Sequence, residues 1–175
     1  MRLRLFVIKE LASPLHMKNL NQHRSQIDNM NSQKISYAIQ RSKSGLGLFA
    51  LEPIPRGRRI VEYTGPLIPN EEVDKRRGRY FFGVNTKWSI DGSPRTNIAR
   101  YINHSCQPNA EALISGRRVW IWSRRNIAAG EEIAYDYGKE YFDDIIKPDG
   151  CKCIKCRSQR RKSGTKNLDA SRTKV

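Results

Sequence analysis

The sequence predicts a mainly β domain of short strands with few and short helices. Through the middle of the chain, apolar and polar residues alternate in brief runs, the period of a half-buried strand. Gly, Pro, Asn and Ser separate these runs at intervals too short for crossover helices. No alternation of strand and helix occurs, and no Gly-x-Gly-x-x-Gly opens a helix, which argues against a dinucleotide-binding α/β enzyme.

Residues 1–34 are rich in Asn, Gln and Ser and show no sustained period. They read as a poorly ordered extension, although residues 3–11 suit a short helix or an edge strand. KISYAIQRS (34–42) alternates as a strand, and SGLG (44–47) reads as a tight glycine turn. LEPIPRGRR carries Pro and Gly punctuation before a β-branched strand, Arg59–Tyr63. Pro69 and Asn70 precede EEVDKRRGR, which reads as a short helix with Asn70 as N-cap and acids in its first turn. YFFGV, KWSID, EALIS and RVWIWS follow as short strands. The two-residue period places Trp120 and Trp122 on one face, and the three tryptophans, Trp88 included, read as core or channel wall.

A chain of 175 residues suits one domain with a core plus tails. No apolar run approaches the roughly 18 residues of a membrane span. Lys9 and Glu10 interrupt the N-terminal apolar patch, so a signal peptide is not expected. The protein therefore reads as intracellular, cytoplasmic or nuclear. The net charge of +16 is unevenly spread. Residues 157–175 hold seven Lys/Arg against one acid, so this tail suits either a solvated end or contact with nucleic acid or an acidic partner. No membrane partner is expected, and the sequence sets no oligomeric state.

Cys106, Cys151, Cys153 and Cys156 are the whole thiol inventory. A Cys-x-Cys pair is too close for an easy disulfide with itself, and the expected compartment is reducing. Four thiolates around a structural zinc account for them better than four unrelated cysteines. Cys106 must then meet the C-terminal trio across 45 residues, clamping the chain end beside the Asn-His-Ser-Cys loop.

Six stretches, in order, add up to a resemblance: SGLGLFA (44–50), EYTG (62–65), IDG (90–92), NIARYINHSCQPN (97–109), RNIAAGEEIAYDYG (125–138) and CKCIKC (151–156). Through them residues 35–157 resemble the SET-domain protein lysine methyltransferases. RYINHSCQPN followed by GEEIAYDYG is the most specific part. Two features depart from the family pattern. Thr96 precedes Asn97 where a glycine is usual, and the last two cysteines are separated by two residues where four are usual.

The resemblance implies a SET fold: a β-clip of small curved sheets with a C-terminal pseudoknot that sets NHSC beside YDYG. It divides the chain into a SET domain over 35–142, a post-SET zinc segment over 143–160 and a basic tail over 161–175. It implies methyl transfer from S-adenosylmethionine (AdoMet) to the side-chain amine of a protein lysine, on a histone or another protein. Gly45, Leu46, Gly47, Tyr63, Arg100, Asn103, His104, Tyr137 and Phe142 are then expected to hold AdoMet. Tyr137 and Tyr63 are the expected catalytic residues, and Tyr135 matches the position that limits the product state, here favouring monomethylation. Asp91, Asn97, Asn109 and Asp136 read as structural braces. Two further readings stand beside this one: a zinc-stabilised basic module that binds nucleic acid or a partner without catalysis, and a SET protein that has lost turnover.

Overall fold

The computed structural model describes residues 34–170 apart from Asp74 and Arg77, and past Lys162 the backbone alone. The expectations for residues 1–33 and 171–175, the short element over 3–11 among them, lie outside the described residues.

Among the described residues, ten short strands form three small sheets. The first has the order β1 (Tyr37–Ser42), β2 (Gly45–Ala50), β10 (Glu132–Tyr135), β7 (Asn103–His104). The second is β3 (Arg59–Tyr63), β9 (Arg118–Ser123), β8 (Ala110–Ser115). The third is β4 (Leu67–Pro69), β6 (Trp88–Asp91), β5 (Phe81–Gly83). Pairing is antiparallel except between β10 and β7.

The alternation read from the sequence sets which side chains turn inward. Along β9, Val119, Ile121 and Ser123 are buried while Trp120 and Trp122 face outward together. Both tryptophans sit half-buried on the sheet surface and not in the core, with Arg59 and Arg118 stacked on Trp120 at 4.5 and 4.7 Å. Leu48, Val119, Ile121 and Ile133 have no exposed surface and join the first two sheets. Removing such a side chain from water contributes about 1.5–3 kcal/mol. Two buried polar side chains are answered: Asn97 donates to the Gly92 carbonyl and accepts from the Thr64 N–H. Ser123 Oγ donates to Pro55 O and accepts from the Arg58 N–H.

Three local expectations shift. The β1–β2 turn is Lys43–Ser44, and the glycines after it belong to β2. Gly45 takes φ 118° straight after this two-residue turn, a conformation that strains any other residue. The helix over 71–79 is one turn, α1 (Asn70–Val73). The Asn70 side chain turns from its expected cap role to the sheet, donating to Asn85 O and accepting from Ser89 Oγ. Those two bonds fix the β6 hairpin, and Gly78 closes the helical option soon after.

Beyond β10 the chain forms α2 (Lys139–Tyr141), a π-helical turn over Phe142–Ile146, and the long α3 (Ile154–Ala170). The sequence reading contains no helix at α3. With no apolar stripe the segment gives no periodic signal, yet its Arg, Lys and Gln are good helix formers. Among the described residues, no helix is long and apolar enough to cross a membrane.

Candidate active site

The parallel pairing of β10 with β7, the one such pairing among the described residues, builds the site. Ala134 lies against Asn103 and Tyr135 against His104, so NHSC and YDYG run side by side. Asn109 locks them: its Oδ1 accepts from the Ala134 N–H and its Nδ2 donates to Glu132 O, both at 2.8 Å. The brace expected at Asn109 is therefore present.

On one side of this pair lies an aromatic cavity of about 400 Å³. Tyr63, Tyr80, Phe82, Tyr135, Tyr137 and Tyr141 are among its walls. Neighbouring rings touch in sequence, Tyr63–Phe82 at 5.3 Å, Tyr135–Tyr137 at 4.9 Å and Tyr137–Tyr141 at 5.2 Å. Tyr137 Oη donates to Ile102 O at 2.6 Å, and Tyr63 Oη donates to Tyr80 O at 2.8 Å. Each phenol has its proton committed, which leaves oxygen lone pairs as its free function. Burial pushes the pKa of Tyr63, Tyr135 and Tyr137 above the usual phenol value. All three are neutral phenols at physiological pH and none serves there as a phenolate base.

On the other side, two smaller cavities of about 190 and 220 Å³ share Ser44, Asn103, His104 and Lys152. Asn103 Nδ2 donates to Leu46 O at 3.0 Å and to Glu132 Oε1 at 2.6 Å. Both partners can only accept, so the amide orientation is fixed and Oδ1 remains to accept from a ligand cation. Gly47 is needed for this contact, because a Cβ there would collide with the Glu132 carboxylate.

His104 links this region to the cysteines. Its Nδ1 accepts from the Tyr137 N–H at 3.2 Å, and its Nε2 lies 3.3 Å from Cys106 Sγ. An acceptor Nδ1 places the proton on Nε2, which donates to the sulfur. Asp136 Oδ1 stands 3.7 Å from Nδ1 but is taken by the Gly138 N–H at 3.0 Å. Burial lowers the His104 pKa, with Asp136 opposing, so the ring is neutral and this contact is not an ion pair. Asp136 braces the turn, as expected from its place between two tyrosines.

The four cysteine sulfurs lie within 4.8 Å of one another, with Cys106 at 3.8 Å from Cys151 and 3.6 Å from Cys156. A tetrahedral zinc with Zn–S of about 2.3 Å requires S···S edges of about 3.8 Å. The donor set fits zinc, and the shortened gap between Cys153 and Cys156 does not stop it closing. Burial pushes the Cys106 thiol up, with the neighbouring thiols adding to it. Burial also raises Cys153, but backbone N–H groups outweigh it and hold this thiol at about 7. A divalent cation makes all four thiolates favourable in one place.

The remaining expected residues divide. Leu46 meets the site through its carbonyl, and Phe142 packs on His104 at 5.2 Å. Gly45, Gly47 and Phe142 are not among the residues lining the two smaller cavities. Arg100 lies elsewhere, over Tyr80 at 4.0 Å on the wall of the aromatic cavity. Sequence reasoning missed Tyr141 and Glu132. Tyr141 lines both the aromatic and the 190 Å³ cavity, and the aromatic pair at 141 and 142 was its available signal.

Residues 45–138 match the model of the SET domain. Sheets this small, closed by the one parallel contact between the two motifs, define that class, and the chain belongs to the SET-domain family. Among its relatives, the histone-lysine N-methyltransferase set1 of Dictyostelium discoideum is 39% identical over 124 residues, 63% of this chain and 8% of that protein. Histone-lysine N-methyltransferase 2D of Homo sapiens is 36% identical over 134 residues, 69% of this chain and 2% of that protein. ASHH1 of Arabidopsis thaliana, also named a histone-lysine N-methyltransferase, is 33% identical over 73% of this chain and 30% of its own length. The chain thus spans a minor part of each. Among solved structures, ctPRC2 in an autoinhibited conformation bound to S-adenosylmethionine is similar with TM-score 0.56 and 31% identity, over 61% of this chain and 15% of that one.

Proposed function

We propose that this chain transfers methyl groups from AdoMet to the side-chain amine of a protein lysine, a histone being the first substrate to test. The observation that carries the proposal is that Tyr137 and Tyr141 line both the aromatic cavity and the cavity beside Asn103 and His104. A group transfer needs its two reactants to meet, and these rings stand where they would. The relatives' names and an AdoMet-bound neighbour of the same fold support the assignment. They also favour a chromatin setting.

In this reading Asn103 Oδ1 accepts from the AdoMet ammonium, while the Leu46 carbonyl that holds Asn103, together with His104, shapes the cofactor side. AdoMet supplies an electrophilic methyl on a sulfonium. The chain's own task is to deliver a neutral amine in line with it. An exposed lysine has pKa about 10.4, so its neutral form at pH 7 costs about 4.6 kcal/mol. Tyr63, Phe82, Tyr135 and Tyr137 lower that cost by excluding water from the charged form. The free lone pairs of Tyr137 and Tyr63 orient the amine and receive the polarised methyl C–H groups. No side-chain base is required, in keeping with the protonated state of all three tyrosines. The four cysteines hold a structural zinc and take no part in the transfer.

Purified protein kept in zinc, methyl-labelled AdoMet, core histones and whole-cell extract provide the test, with products read by mass spectrometry. We expect label on lysine, reduced about 100-fold or more in Tyr137→Phe, which removes only the hydroxyl. AdoMet binding without label on any protein would favour the reading in which turnover has been lost. Absence of both label and AdoMet binding would sink the enzyme assignment.

A further inference from the structure

The 220 Å³ cavity has a wall that methyl transfer leaves unused. Lys43 from the β1–β2 turn, Lys152 from the cysteine-rich segment, and Lys155 and Arg157 from the start of α3 all line it. The acids there are already answered. Glu131 binds Arg125 and Asn109, and Glu132 binds Asn103 and Ser42. Among the described residues, none of the four cations belongs to an ion pair.

Like charges gathered around one cavity of about 220 Å³ repel each other, and salt screens that repulsion only beyond a Debye length of about 8–10 Å. A polyanion relieves that repulsion. The cationic run continues outward along α3 through exposed Arg160, Arg161 and Lys162, on a helix about 25 Å long. Among the described residues of the strip, Ile154 is the one large apolar side chain, 76% exposed. A protein interface buries an apolar or aromatic core, and one isoleucine does not make one. Phosphate-backbone binding needs only the charges.

We propose that Lys43, Lys152, Lys155 and Arg157, continued by the exposed Arg160, Arg161 and Lys162 of α3, form a docking strip for the phosphate backbone of a nucleic-acid duplex. The inference goes beyond the basic tail by naming a built surface on the folded domain, and it does not rest on methyl transfer. A duplex held there would bring a protein packaged on it to the aromatic cavity.

The experiment uses the full chain with zinc and without AdoMet, so failure here leaves the methyl-transfer assay untouched. A fluorescent DNA duplex of about 20 base pairs is titrated at several salt concentrations, and each phosphate contact contributes about −0.9 to the slope of log affinity against log salt. The parent protein should show a slope of about −4 or steeper. Replacing Lys43, Lys152, Lys155 and Arg157 together by Gln should weaken binding at least about tenfold and flatten the slope by about 3.6. Lys43→Gln alone, in an exposed turn, should flatten it by about 0.9 and guards against misfolding of the combined variant. The control replaces Arg56, Lys75, Lys87 and Arg95 by Gln, removing equal charge outside this cavity. Equal weakening by the control overturns the strip, as does salt-independent binding by the parent. Displacement of the duplex by polyglutamate as readily as by unlabelled duplex assigns the surface to an acidic protein and overturns the nucleic-acid partner.

Discussion

Tyr135 ends a strand flanked on both sides, by β2 and by β7, whereas Cys151 and Cys153 stand on a segment with no strand at all. The two regions touch through His104 and yet are held by different means. The aromatic wall is fixed by ladder hydrogen bonds, the Asn109 clamp and continuous ring contacts. The cysteine cluster is fixed by side chains drawn from 45 and 50 residues apart. Outside the thiols, the segment after β10 reaches back through Tyr141 Oη to Arg79 O and through Phe142 on His104. A core of this kind persists by packing. A cluster of four close thiols needs a cation to hold it, so a zinc bound there would set the order of the segment that roofs the 190 Å³ cavity.

The largest expected effect breaks the second region and spares the first. Cys106→Ser should abolish stoichiometric zinc, removing a contribution on the order of 10 kcal/mol to the folded segment. Hydrogen exchange should show fast amides from residue 142 through the start of α3, while β2, β9 and β10 keep their protection. Metal content and exchange measured on the same sample decide it. Uniform loss of protection would mean that the sheets also depend on the metal and that the contrast is wrong.

A smaller effect tests the joint between the regions. His104→Phe keeps a ring between Tyr137 and Phe142 but removes both nitrogen contacts. Groups that hydrogen-bond a metal ligand typically change metal affinity about 10–100-fold. Zinc should pass to a chromophoric chelator faster by about that factor, and the Tyr137 amide should exchange faster. Unchanged zinc release would reduce His104 to a packing residue.

The same contrast explains what could be read in the sequence. The β class was legible because RVWIWS and GEEIAYDYG carry a two-residue period that burial obeys, with Val119, Ile121, Ile133 and Tyr135 turned inward. The cysteine tetrad was legible from thiol chemistry and spacing. What the sequence hid depends on partners distant in the chain. Asn70 resembles a cap until Ser89 and Asn85 compete for its amide. Gly47 resembles a turn until Glu132, 85 residues on, needs the room of its missing Cβ. Arg100 belongs to the motif that carries Asn103 and His104, but its guanidinium lies over Tyr80, in a different strand run, on the wall of the aromatic cavity. α3 carried no periodic apolar signal at all.

The smallest effect sharpens the first region from within. Among the described residues none makes a hydrogen bond with the Tyr135 hydroxyl, unlike those of Tyr63 and Tyr137. Tyr135 forms part of the wall of the aromatic cavity. There it can hold the amine, or a water, in the space that a methylated amine needs to turn. Tyr135→Phe deletes that oxygen and keeps the ring contacts to Phe82 and Tyr137. Total transfer should change only a few-fold, since one hydrogen bond contributes about 1 kcal/mol. The product distribution should move from monomethyl toward di- and trimethyl lysine, read by mass spectrometry on one peptide. An unchanged distribution would show that the backbone walls of the cavity, and not this hydroxyl, limit the methyl count.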